Sequence, residues 1–305
     1  MFDWLLTAIL AYVLFGLGSL GDKLVLNKTT QQAPKPKAYM FYVGVFGLLF
    51  VLLILPFIKF TAPSSVALVW IILDALVRIL GLYTMFVAVS KYDISKVIAT
   101  IGATQPIFIF ILTWIFWGPQ IMSGTGMLAF ALLFIGSIII SIEKSIKLTA
   151  DYLKITIFSS VMFSLEYVFS KLIYIDMQFM SAVICIQSVL FVFVLLLLIS
   201  KTARAEIFSK QVISNRKTQL IFLCTQIVGG AGNLFQGFAI SLAPVVFLAT
   251  INSLRGIQYA FLFVATLLLS YFFPKVLKEE LSRKVIIQKT FSILLIIIGL
   301  IFLVR

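Results

Sequence analysis

Histidine is absent from the 305 residues, and cysteine occurs only twice, at Cys185 and Cys224. Without imidazole there is no histidine general base, metal ligand or pH sensor. The two cysteines lie far apart, each inside an apolar run, so they support neither a disulfide framework nor a CxxC metal site and read as small buried apolar residues. Charge is scarce as well: only 11% of residues are Asp, Glu, Lys or Arg, with 11 acidic against 24 basic. Soluble domains carry about 25% charged and about 45–50% apolar residues. At 62% apolar, with a mean hydropathy of +1.16, this chain leaves almost no room for an aqueous domain. Also missing are a nucleophile–base arrangement, an HExxH helix and a Gly-rich phosphate loop, so neither an enzyme nor a cofactor or metal is expected. The net charge of +13 would suit nucleic acid by its sum, but its position between apolar runs points to a membrane surface.

What fills the chain is apolar sequence in runs of membrane-spanning length. At about 30 residues per span and loop, 305 residues make ten spans, read at 4–26, 38–58, 65–90, 95–117, 123–142, 152–174, 177–199, 219–242, 245–273 and 285–304. All are expected as helices, because an open strand leaves its backbone unsatisfied in lipid. The first run lacks a basic n-region and a small-residue cleavage pattern, so it reads as a span and not as a removable signal. The polar stretch 200–217 is expected to hold a short surface helix, and Pro106 to kink span 4.

The chain also repeats itself. Asp3 and Trp4 open span 1 as Asp151 and Tyr152 open span 6, and Phe15, Leu17, Lys23 and Leu24 match Phe163, Leu165, Lys171 and Leu172. Spans 4 and 9 share Ala-Thr-Ile at Ala99 and Ala249, and Ala88-Val89-Ser90 matches Ala239-Ile240-Ser241. The offsets stay between 148 and 151 residues. The fold expected is therefore an all-α membrane protein of ten transmembrane helices in two five-helix repeats, 1–148 and 149–305. Five is odd, so the second repeat enters the bilayer from the other face and the pair is inverted.

Phe15-Gly16 followed by Lys23 in span 1, the five-plus-five repeat, and the Ala-x-Ser…Pro approach to the fourth span of each half resemble the EamA-type transporters of the drug/metabolite transporter superfamily. The resemblance covers the whole chain and implies secondary transport of a small metabolite, often export. The family's Gly-Glu after the fourth span is replaced here by Gly118-Pro119-Gln120 in the first half, and in the second by Glu279-Glu280 after a longer turn.

Four charged residues fall near mid-span: Asp74 and Arg78 in span 3, Glu166 in span 6 and Arg255 in span 9. Each would cost about 2.5–3.5 kcal/mol against lipid, so they are expected to face the bundle interior, where their charges cancel. Asp74 and Arg78, four apart, share a helix face and can pair; a permanent lock on span 3 and a substrate role are both open. Glu166 and Arg255 are left to meet each other or a substrate, with Glu166 the candidate proton carrier and Arg255 a fork for carboxylate or phosphate. Gln105 matches Arg255 in depth. Helical spacing adds Gln226, Asn233 and Gln236 in span 8, and Asn252 and Tyr259 in span 9. Together these ten are the expected substrate-binding residues, with interhelical glue the alternative role for each glutamine and asparagine among them.

The function expected is a secondary active transporter of an amino acid, organic acid or similar metabolite, acting by alternating access at a midplane cavity. A lipid or lipid-linked sugar flippase of the same fold is the alternative. The expected partners are the small-molecule substrate and membrane lipids, with no nucleic acid, and the chain reads as a monomer. Nineteen of the 24 cationic residues lie in or beside the loops after odd-numbered spans. Loop basicity marks the cytoplasmic face, which puts both termini of this cell-membrane protein outside.

Overall fold

The computed structural model describes residues 3–28, 36–92, 94–119, 122–141, 149–208, 216–272 and 283–304. Its helices are α1 (Asp3–Lys28), α2 (Pro36–Ile54), α3 (Ser65–Lys91), α4 (Ile94–Trp117), α5 (Gly124–Ser141), α6 (Ala150–Asp176), α7 (Phe179–Leu196), α8 (Lys201–Ile207), α9 (Arg216–Leu242), α10 (Leu248–Ser253), α11 (Arg255–Phe272) and α12 (Arg283–Val304). Among the described residues, nine helical stretches are long and apolar enough to cross a membrane. This makes the chain an all-α, multi-pass membrane protein. The 27-residue α9 carries Gln226, three glycines, Asn233 and Gln236 along its length. The expected surface helix is the short α8. Pro106 does not end α4, which stops instead at Gly118, whose φ of +77° is the left-handed conformation that terminates helices.

Compactness groups the spans differently from the sequence. One unit comprises Met1–Gln32, Pro119–Glu143 and Val212–Arg305; the other comprises Ala33–Gly118 and Lys144–Gln211. Each draws helices from both sides of residue 148.

In the second unit, α3 packs along α6. Ser64 Oγ donates to Asp176 Oδ2 at 2.6 Å, Ser170 Oγ to Asp74 Oδ1 at 2.8 Å, and Ser159 Oγ to the Gly81 carbonyl at 3.0 Å. Numbers rise on α3 as they fall on α6, so the two run antiparallel. The α4–α6 contact is parallel: Thr100 Oγ1 meets Tyr152 Oη at 2.6 Å, Thr104 Oγ1 donates to Ser160 Oγ at 2.8 Å, and Ser164 Oγ donates to the Gln105 carbonyl at 3.2 Å. The α6 face that makes these contacts is a row of buried serines, because lipid supplies no hydrophobic drive between helices and small residues let backbones approach. Helix α8 is tied to the start of α2, with Lys37 donating to Thr202 Oγ1 at 3.0 Å and lying 3.6 Å from Glu206.

In the first unit, α1 packs on α9 and α11, and α5 on α12. A methyl built on Gly232 would fall 2.9 Å from the Phe15 ring, and one on Gly18 would lie 3.9 Å from Gly229 Cα. Trp4 stacks on Phe247 with centroids 5.2 Å apart, and Gln258 Nε2 donates to Ser19 Oγ at 3.1 Å. The α5–α12 contact is reciprocal: Gly136 admits Ile296, and Gly299 admits Leu133, with built methyls only 2.8 and 2.9 Å away.

Span 9 departs from the single helix expected. It breaks at Leu254, between α10 and α11. The cause is local. The Ser253 carbonyl accepts from Ser137 Oγ of α5 at 2.5 Å, and the Ile257 N–H that regular α spacing would aim at that carbonyl bonds the Leu254 carbonyl instead, at 2.9 Å. A side chain inserted into the ladder is a standard origin of a helix kink. Gly256, against Ser137 and Ile296, allows the close approach that this needs.

Candidate functional site

The α3–α6 register sets Asp74 and Arg78 beside Glu166. Arg78 Nη2 lies 2.7 Å from Glu166 Oε1 and 3.9 Å from Asp74 Oδ2. The sequence spacing anticipated an Asp74–Arg78 pair along one helix, but the close partner of Arg78 is across the helix contact. Glu166, which the sequence left to Arg255 or a substrate, is thus held by Arg78. Asp74 is fully buried. Its Oδ1 accepts from Ser170, while its Oδ2 and Arg78 Nε make no hydrogen bond. At about 4 Å a unit charge pair attracts by roughly 4 kcal/mol at an effective dielectric of about 20. Burying a carboxylate costs several kcal/mol, so one guanidinium does not settle two carboxylates. Tyr174 acts electrostatically on the same three groups. It lies eight residues after Glu166 and four after Ser170, a helical spacing that makes it legible in the sequence, although the sequence reading omitted it.

Gln105, in the same unit, is buried at 2% exposure. Its carbonyl serves Ser164, while its Oε1 has no hydrogen-bond partner.

The other expected residues belong to the first unit. Gln236 Nε2 donates to Tyr12 Oη at 3.0 Å. Tyr259, whose hydroxyl is buried without a hydrogen bond, lies within electrostatic reach of Tyr12 and Arg255. Arg255 is half-buried as the first residue of α11. Asn252 is fully buried, and neither atom of its amide is hydrogen-bonded; the Thr250 hydroxyl is in the same condition. Thr250 matches Thr100, which is bonded to Tyr152; the residue matching Tyr152 is Trp4, which has no hydroxyl to offer. Asn233 departs from the expected stripe: it is exposed, and its amide donates back to the Gly229 carbonyl of its own helix at 3.2 Å. Gln226 is half-buried. Gln120, Glu279 and Glu280 lie outside the described residues.

The chemistry is thus of two kinds. The α3–α6 cluster offers charge, in the form of two carboxylates sharing one guanidinium. Span 9 offers buried hydrogen-bonding groups at a helix break. Among the described residues no group of His, Cys, Asp and Glu could hold a metal ion.

No family model and no curated protein sequence matches the chain. Solved structures do: 27 chains are significantly similar in fold. One of them, titled only "Crystal structure of protein", superposes with a TM-score of 0.62 at 15% identity, covering 96% of this chain and 93% of its own. The likeness concerns the fold alone.

Proposed function

We propose that this chain is a secondary active transporter of a small zwitterionic or anionic metabolite, built as two inverted five-helix repeats of the EamA type and working by alternating access. The observation that carries the reading is Asp74, a fully buried carboxylate with an unbonded oxygen, clustered with Arg78 and Glu166 in helices of membrane-spanning length. Intramembrane ionisable groups are expensive and mark substrate or ion pathways. The broken span 9, with unsatisfied Thr250 and Asn252, supports the same reading, since discontinuous helices form transporter binding sites.

The inverted repeat draws support from pairs of contacts. Exchanging each span for the one five later turns α1–α9 into α6–α3 and α1–α11 into α6–α4, and leaves α5–α12 paired with itself. Single residues follow: Phe15 on Gly232 answers Phe163 on Gly81, and Gly136 on Ile296 answers Gly299 on Leu133. Both termini are assigned to the outside of the cell membrane by loop charge.

The test is uptake into proteoliposomes from a panel of amino acids and organic acids. Wild type is expected to carry at least one of them, with flux reduced at least about tenfold in Glu166→Gln and Arg255→Ala. Wild-type flux in both variants would remove these residues from the mechanism, and absence of any flux would overturn the assignment.

A further inference from the structure

The α3–α6 cluster carries one negative charge too many if all three groups are ionised, and the shortfall is at Asp74. Glu166 holds the guanidinium at 2.7 Å, whereas Asp74 Oδ2 stands 3.9 Å away, buried and without a hydrogen bond. A carboxylate in that position lacks its full counter-charge, whereas a carboxylic acid needs none.

The groups acting on Asp74 are Arg78 of its own helix and, from α6, Glu166 and Ser170. Tyr174 of α6 interacts with it as well. Helices α2, α4 and α7 also pack on α3, and among their described residues none brings a charged group to Asp74.

The cluster is not a packing requirement of this kind of helix pair. In the other unit α1 and α9 repeat the contact, with Phe15 on Gly232 where Phe163 meets Gly81. The residues matching Glu166 and Arg78 at the same offsets, 148 and 151, are Gly18 and Gly229. At these two positions α1 and α9 pack backbone to backbone. Where the α1–α9 contact has Gly18 and Gly229, the α3–α6 contact keeps Glu166 and Arg78 beside Asp74 at a cost in desolvation.

We propose that Asp74, and not Glu166, is the carboxyl that takes up and releases a proton, with Arg78 passing between the two carboxylates as it does so. On uptake an O–H bond forms at Asp74 Oδ2 and Arg78 stays on Glu166. On release the proton returns to water and Arg78 closes on Asp74. The outer members of the cluster provide the route, since the side chains of Glu166 and Arg78 remain 20% and 23% exposed. Coupling of this proton to substrate movement rests on the transport reading; the protonation itself does not.

The experiment reads the protonation directly, by infrared spectra of the full-length protein in detergent across a pH titration. A buried protonated carboxyl gives a C=O stretch distinct from the amide bands. The expected result is such a band with a single midpoint, abolished in Asp74→Asn and retained in Glu166→Gln. In Glu166→Gln the midpoint falls by at least about one pH unit, because a like charge is gone and the guanidinium is free for Asp74. If Asp74→Asn does not fold, Glu166→Gln still decides, since Asp74 is then the one carboxyl left in the cluster. The proposal is overturned by the absence of a band, by its loss in Glu166→Gln, by its survival in folded Asp74→Asn, by an unmoved midpoint, or by its removal with sodium at constant pH. A titrating band in a protein that carries no substrate in liposomes leaves the protonation standing and overturns the transport reading instead.

Discussion

Arg78 is the residue on which the α3–α6 contact depends, because it is the one cation beside two carboxylates. Removing one partner from a buried ionic cluster strands the others without compensation, which costs about 3–5 kcal/mol. Arg78→Met is therefore expected to lower the thermal unfolding temperature in detergent markedly. The triple variant Asp74→Asn, Arg78→Met, Glu166→Gln should recover most of the loss, since nothing charged is then left unpaired; a triple variant no more stable than Arg78→Met would show that the cluster is not the cause. Asn252 is the opposite case. Its amide is fully buried and makes no hydrogen bond, a penalty of about 1–3 kcal/mol that an apolar residue of similar size would relieve. Asn252→Leu should raise the unfolding temperature while reducing flux, and a variant that is stabilised with flux intact would take Asn252 out of the binding site. That these residues lie within helices of membrane-spanning length was legible from the apolar runs around them. Which carboxylate takes the guanidinium was not, because four-residue spacing within α3 says nothing about the register of α6 against it.

Among whole helices, the α5–α12 contact is made by glycine, and only some glycines in the chain make such contacts. Built methyls on Gly136 and Gly299 fall 2.8 and 2.9 Å from Ile296 and Leu133, with the Ser292 and Ala129 carbonyls close behind, whereas nothing lies within 4 Å of one on Gly230. Overpacking costs about 1–3 kcal/mol. Gly136→Val and Gly299→Val should each destabilise by about that amount and by similar amounts, given the reciprocity of the contact. Gly230→Ala should be neutral or slightly stabilising; if it proves as harmful as the valines, unfolding temperature is reporting something other than this packing. Helix extents were readable to within a few residues, since apolar run length and the bilayer's thickness set them. The break at Leu254 was not readable: it arises from a Ser137 hydroxyl more than 100 residues away in sequence. Nor was the fate of Asn233, which helical spacing put on one face with Gln236 but which is exposed while Gln236 is bonded to Tyr12.

For the molecule as a whole, the loop charges predict orientation. With 19 of 24 cationic residues at one set of loops, a reporter active only in the cytoplasm should be silent when fused after Arg305. Activity there would reverse the topology without touching the fold. Composition, run length and the ordered matches between halves determined from sequence that this is a multi-pass helical membrane protein with an internal echo and charges that lipid does not tolerate. These are properties of a chain's solvation, and solvation is additive along the sequence. Tertiary structure decided that α1 sides with α9 and α11 while α6 sides with α3 and α4. It also decided that Gly18 and Gly229 come together between α1 and α9 while Asp74, Arg78 and Glu166 gather between α3 and α6. Those outcomes depend on which helix faces meet and at what height, and distances between remote residues are set by packing, which no local pattern encodes.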